Sequence, residues 1–276
     1  MQAFFLLAGD DRDGQRFCLH HAPAGLPTRG ACLYIAPFAE EMNKSRRMAA
    51  LQARALAAAG FGVLQMDLHG CGDSSGDLDE ASWSGWIDDA CQGARWLRER
   101  YEGPLWLWGL RAGCLLACAA AERLAEPPRL LFWQPPVSGK PLLQQFLRLR
   151  MASELKDGRS SGVTERLRGE LVAGSTVEVA GYRLGPGVAL GLDQAQLRPP
   201  STPGVAIFIE TSPREDARLL PATQSALQAW QAAGHAVSSR VVQGPAFWQT
   251  QEIEDAPSLI EATLAAVTET QPEALA

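Results

Sequence analysis

The chain is poor in histidine. Only His20, His21, His69 and His235 occur, and none sits at the H-x-x-x-H or H-E-x-x-H spacing that would bring two imidazoles to one metal. C-x-x-C pairs are missing as well. Cys18, Cys32, Cys71, Cys91, Cys114 and Cys118 are scattered, mostly in apolar segments, which suits reduced core thiols and disfavours a disulfide framework. No apolar stretch approaches the roughly 20 residues that a membrane span needs. The run Phe4-Phe5-Leu6-Leu7-Ala8 is too short for a signal peptide and is followed by Asp10 and Asp11, so a cytoplasmic protein is expected. A basic surplus is also absent. The net charge is −6 and the pI is near 5.3, which excludes nucleic acid as a main partner because phosphate binding needs a cationic footprint. There is no internal repeat and no low-complexity tract, and neither a metal nor another cofactor is expected.

What the sequence has is length, apolar content and alternation. With 276 residues, 46% of them hydrophobic, it can build one large α/β domain with an insertion. Strand-like and helix-like segments alternate from about residue 30 to 135 and again from about 203 to 268, the mark of βαβ units and a mainly parallel sheet. Strands are expected at residues 32–35, 62–67, 104–108, 129–133, 205–210 and 236–242, and helices at 45–59, 83–101, 114–121 and 258–267. Between residues 138 and 200 the alternation fails. Helical patterns at 142–150 and 163–172 flank a Gly/Ser-rich stretch at 157–162, and residues 177–184 read as a strand or hairpin. This segment has the look of a cap inserted between two core parts, 1–137 and 201–276. The tail at 268–276 is expected to fray.

Gly109-Leu110-Arg111-Ala112-Gly113 follows an apolar strand and opens an apolar helix. It matches the G-x-S-x-G nucleophile elbow in its glycines and its setting, but arginine stands where the attacking serine belongs. Asp67-Leu68-His69-Gly70-Cys71-Gly72-Asp73-Ser74 supplies a glycine loop of the D-x-x-G-x-G-x-S type. With the order of elements, these motifs resemble the α/β-hydrolase superfamily over nearly the whole chain. More narrowly, the run Pro37-Phe38-Ala39-Glu40-Glu41-Met42-Asn43-Lys44-Ser45-Arg46-Arg47, taken with Gly109-Leu110-Arg111, is similar to the exosortase A system-associated hydrolases of the second type, found with bacterial exopolysaccharide and PEP-CTERM sorting loci.

The resemblance implies a fold, a α/β core of mainly parallel sheet flanked by helices, and a set of positions to inspect. The nucleophile position is Arg111. The oxyanion hole would use backbone N–H groups of Ala112 and of the loop near Phe38 and Ala39. Glu210, at the end of a late strand, is the candidate triad acid. The triad histidine should follow the last strand, where the sequence reads Gly244-Pro245-Ala246-Phe247-Trp248-Gln249 instead. His235 precedes that strand and should lie at the opposite sheet edge from the elbow. Losing serine and histidine together removes the groups whose individual loss is most damaging to a serine hydrolase. Cys114, Ser74 and Cys71 could serve as substitute nucleophiles only with a nearby base, and none is evident.

Two readings of Arg111 stay open. A cation at a helix N-terminus, at the carboxyl edge of a parallel sheet, favours an anionic small molecule or a glycan or acyl precursor. Alternatively, Glu41 or Glu210 neutralises it in a structural ion pair that fills the old site. Glu41 and Asn43 are the members of the polar run expected to point inward, His69 is a candidate for the pocket rim, and Trp133 and Trp248 are candidate aromatic walls. The function expected is that of a binding or accessory protein of the exosortase or exopolysaccharide system, working with proteins of that pathway. The alternatives are an unconventional hydrolase or acyltransferase that holds an anionic substrate on Arg111, and an interaction scaffold with a vestigial pocket.

Overall fold

Strand β5 (Leu105–Leu110) is buried along its whole length, which is why it reads as an unbroken apolar run and not as an alternation. Leu105 and Leu107 face one core cluster, and Trp106 and Trp108 face the other on the opposite side of the sheet. The computed structural model describes residues 1–8, 14–25, 27–154 and 162–270. Among them the main sheet has eight strands in the order β1-β2-β4-β3-β5-β6-β9-β10. These are β1 (Gln2–Leu7), β2 (Gln15–His21), β3 (Gly30–Ile35), β4 (Phe61–Met66), β5, β6 (Arg129–Trp133), β9 (Val205–Ser212) and β10 (Ala236–Gln243). From β4 to β10 every pairing is parallel, whereas β2 pairs antiparallel with both β1 and β4. The expected mainly parallel sheet is therefore present.

Helices cover both faces. On one side lie α1 (Glu40–Ala58) and α8 (Pro257–Glu269), over Trp106, Trp108 and Trp133. On the other lie α2 (Trp83–Arg98) and α3 (Ala112–Arg123), the latter an alanine-rich helix packed flat on β5. Helix α7 (Pro221–Ala232) turns Trp230 inward against Phe132 and Phe208. Burying side chains of this size contributes about 1.5–3 kcal/mol each, so the indoles are a large part of what holds the layers together.

The chain between β6 and β9 forms α4 (Lys140–Glu154), α5 (Val163–Val172), the hairpin β7 (Val177–Val179) and β8 (Tyr182–Leu184), and α6 (Pro186–Gln194). Its two ends are tied by a bridge between Ser138 and Gln196 and by the Leu197 N–H, which donates to the Val137 carbonyl at 3.0 Å. Its apolar residues, among them Leu143, Phe146 and Leu167, continue the core on the α2 and α3 side.

Several elements differ from expectation. The pattern predicts no strand before residue 30, whereas β1 and β2 precede it. Their hairpin buries Phe4 against Trp96 while Phe5 and Leu7 stay exposed, so a half-covered edge strand carried an apolar run. Helix α1 starts at Glu40 and not at Ser45. Glu40 and Glu41 occupy its first turn, where acidic side chains suit the positive end of the helix dipole. Helices α6 and α7 were missed although each has proline in its first turn, a helix-start signal. The expected turns at 157–161 and the tail beyond 270 lie outside the described residues.

Candidate functional site

The carboxyl ends of β3, β5, β6 and β9 come together at one edge of the sheet, as the register of Ile35 with Gly109 and of Leu110 with Trp133 requires. Arg111 leaves β5 there with φ 55° and ψ −118°, a left-handed conformation for a residue with a side chain. Its own N–H donates to the Trp133 carbonyl at 3.0 Å and its carbonyl accepts from the Cys114 N–H at 2.9 Å, so both neighbours hold the turn. Gly109 and Gly113 are needed because β5 and α3 cross in contact. A Cβ on Gly113 would fall on the Ile35 carbonyl, and one on Gly109 would meet the Gly113 backbone. This is a nucleophile elbow in backbone shape, with a guanidinium on it.

The guanidinium is enclosed by the protein's own groups. Its Nε donates to Glu41 at 3.2 Å, and Nη2 makes an ion pair with the same carboxylate at 3.2 Å. Nη2 also donates to Gln145 Oε1 at 3.3 Å, and the Trp248 ring lies 5.8 Å from the guanidinium carbon. Both partners are largely buried, with side-chain exposures of 12% for Arg111 and 9% for Glu41. Burial raises the Glu41 carboxyl above its usual range, and this outweighs the opposing pull of Arg111. Sequence inspection had singled out Glu41 and Trp248. It missed Gln145, which arrives on α4 and has no distinguishing signal in the sequence.

The polar run on α1 works as a hub. Glu41 reaches the elbow, and Asn43 donates to the Tyr182 hydroxyl of the β8 hairpin at 2.9 Å. Lys44 donates to the Gln249 carbonyl at 3.4 Å, in the loop that follows β10. Arg46 pairs with Asp67 on the glycine loop at 3.1 Å, and Arg47 makes a two-pronged pair with Asp255 just before α8. Four neighbouring segments are thus pinned to one helix end.

Phe38 and Ala39 form the facing loop and are buried. The Phe38 ring meets Phe146 of α4 edge-on at 4.8 Å. Ala112, as the first residue of α3, has an N–H without an intrahelical acceptor. The hollow against Ala112, Phe38, Leu68 and Cys71 measures only about 10 Å³, near the space of a single water.

The other candidates go elsewhere. Glu210 is buried and accepts from the Leu220 N–H at 2.9 Å and from the Thr223 hydroxyl, so it caps the N-terminus of α7. Trp133 lies in the core on the α8 side, its Nε1 donating to Thr263 at 2.9 Å. His69 lines a polar cleft of about 360 Å³ with Arg16, Glu80 and Asp88, and its carbonyl accepts from Trp86 Nε1. His235 sits at the amino ends of β9 and β10, where Nδ1 accepts from the Gly204 N–H at 3.2 Å and Nε2 bonds the Pro200 carbonyl at 3.0 Å. That is the far edge from the elbow, as its place in the chain implied. Cys114 is buried beneath the elbow with its thiol on the Gly109 carbonyl at 3.2 Å, and burial raises its pKa far above the ordinary thiol value. A thiol held protonated in this way is a poor nucleophile.

No family model matches this chain, and no curated protein matches it. Solved structures do. Est1E from Butyrivibrio proteoclasticus, with ferulic acid bound, superposes with a TM-score of 0.67 at 14% identity, covering 97% of both chains. An α/β serine hydrolase without lid from Xanthomonas campestris gives 0.58 at 18% identity over 98% of this chain and 95% of its own. The α/β hydrolase GrgF from a Penicillium species gives 0.60 at 15% identity over 98% and 99%. No helix among the described residues is long and apolar enough to cross a membrane. With its strand order, its elbow and these likenesses, the chain has the α/β-hydrolase fold.

Proposed function

We propose that this chain is a non-hydrolytic protein on an α/β-hydrolase scaffold, acting in the cytoplasm as an accessory factor of an exosortase-linked exopolysaccharide system. The observation that carries the first half is the closed elbow. Arg111 stands at the elbow with its charge met by Glu41, a hydrogen bond to Gln145 and the Trp248 ring 5.8 Å from its guanidinium carbon. The loop that would carry a triad histidine delivers Trp248, and Glu210 is committed to α7. In this reading residues 138–200 are a cap that helps to seal the elbow. The pathway half rests on the likeness of the run 37–47 and of Gly109-Leu110-Arg111 to the exosortase-associated family.

A second reading, an anionic-ligand site at Arg111, is favoured by the place of Arg111 at the N-terminus of α3 and by the raised Glu41 carboxyl, whose protonation would release Arg111.

Thermal-shift screening of the wild type and Arg111→Ala against anionic metabolites, acyl esters and nucleotide sugars separates the two. A destabilised variant with no ligand shift in either protein supports the closed scaffold. Ligand stabilisation that is lost in the variant supports the anion site, and turnover of an acyl ester would overturn the non-hydrolytic assignment. Unchanged surface polysaccharide in cells lacking the chain would overturn the pathway half.

A further inference from the structure

A hollow larger than the one against Ala112 lies between α1 and the sheet. Phe17 and Leu19 of β2, Tyr34 of β3, Met66 of β4 and Met42 of α1 wall a cavity of about 190 Å³. A cavity of about 150 Å³ lined by aliphatic and aromatic side chains is enough to take up benzene. Gln65 and Asp67 line the hollow as well, so the cavity is apolar over Phe17, Leu19, Met42, Ala49, Ala50 and Met66 and polar at Arg46, Gln65 and Asp67.

The mouth is not apolar. Arg46 lines it with its side chain 42% exposed, pairing through Nη2 with Asp67 and through Nε with Asn43 at 3.5 Å. A guanidinium has five N–H donors in a planar fork, so donors remain for an incoming acceptor. Asp67 lines the same mouth, and its Oδ2 accepts both from Arg46 and from the Asp73 N–H at 3.1 Å, so its charge is already met. At the back, the Tyr34 hydroxyl is buried, and burial raises its pKa, so it stays a neutral donor. The Tyr34 ring is fixed against Trp108 at a centroid distance of 4.4 Å, which keeps that wall in place.

We infer that this cavity is a binding site for a small apolar carboxylic acid of benzoate or hexanoate size, its body between β2 and α1 and its carboxylate on Arg46. The inference is independent of the proposed accessory role, because it uses none of Arg111, Glu41, Gln145 and Trp248.

The test uses the whole protein carrying ¹³C-methyl methionine, titrated with hexanoate and, separately, with 1-hexanol. Met42 and Met66 line the cavity, while Met48 packs toward Ala256 of the α8 side and serves as the internal control. Saturable shifts of the Met42 and Met66 methyls with hexanoate, and little change at Met48, are expected. Ala50→Phe, which fills the mouth from α1, should weaken hexanoate by about tenfold or more. Arg46→Gln should weaken hexanoate by about tenfold while leaving 1-hexanol unchanged. No shift at millimolar hexanoate overturns the site, as does binding that Ala50→Phe leaves intact. Equal losses for acid and alcohol in Arg46→Gln overturn the carboxylate assignment. Should Ala50→Phe fail to fold, the wild-type methyl shifts decide the matter alone.

Discussion

Ala39 and Arg111 hold nearly the same backbone conformation, φ 51° with ψ −124° at one and φ 55° with ψ −118° at the other. Each is the residue at which a parallel strand's loop turns into its helix, β3 into α1 and β5 into α3. Non-glycine residues in such regions cost of order 1–3 kcal/mol each and persist only when their surroundings enforce them. At Arg111 the enforcing contacts are the Trp133 carbonyl and the Glu41 ion pair. At Ala39 they are the α1 hub and the Phe38–Phe146 contact.

Ala39 therefore gives a direct test of strain. Ala39→Gly removes the left-handed penalty at the expense of a buried methyl and a more flexible unfolded chain. The expected net effect is a stabilisation of about 0.5–1 kcal/mol in urea unfolding. A loss of stability of similar size would mean that the turn is not strained.

Breaking the buried pair should be costly and pH-dependent. Arg111→Ala leaves the Glu41 carboxylate without its cation and is expected to cost about 3 kcal/mol near neutral pH. The sign for Glu41 itself follows from its raised pKa. The native state holds the proton more tightly than the unfolded chain, whose carboxyl titrates near 4.5, so this group's contribution to stability falls as pH rises from there through the native value. In Arg111→Ala the fall should be steeper, and in Glu41→Gln it should disappear. Stability curves of the three proteins between acid and neutral pH check this.

Restoring the serine should not restore an esterase. Arg111→Ser rebuilds the G-x-S-x-G pattern, but the sequence has no histidine after His235, and Glu210 is held by Leu220 and Thr223. Without its base a serine nucleophile loses orders of magnitude in rate. Hydrolysis of p-nitrophenyl acetate by Arg111→Ser is expected to match the wild type, and a clear burst of product would contradict it.

The thiols should be inert in the folded protein. Burial pushes Cys18 and Cys71 up to about 12, with Asp67 adding to the shift in both, and it raises Cys114 strongly as well. With so little thiolate near pH 8, Ellman's reagent should label Cys18, Cys71 and Cys114 over hours, against all six cysteines within minutes in urea. Fast labelling of any of the three would show an opening path.

Much of the frame was legible in the residues. Buried strands such as β5 and β6 read as short apolar runs, α2 and α3 follow from their apolar spacing, and α5 starts and ends where its pattern does. The elbow was legible because only glycine fits where two backbones touch, and that requirement leaves a mark at 109 and 113 whatever residue stands between. The N-terminal strands β1 and β2 were not legible, since β1 is covered on one side only and its alternation is short, whereas the other edge strand, β10, reads clearly at 236–242. Helices α6 and α7 were overlooked although their prolines mark the first turn.

By itself the sequence determined the order of elements, the position of the elbow, the arginine at 111 and the absence of histidine after 235, because these depend on local pattern and chain order. Only the tertiary structure decided who neutralises Arg111. Glu41 and Glu210 were equal candidates in the sequence, and Gln145 was not a candidate at all. The choice depends on where α1, α4 and α7 dock against the sheet, which is set by packing between segments as far apart in sequence as Glu41 and Arg111, 70 residues, and leaves no trace in any local pattern.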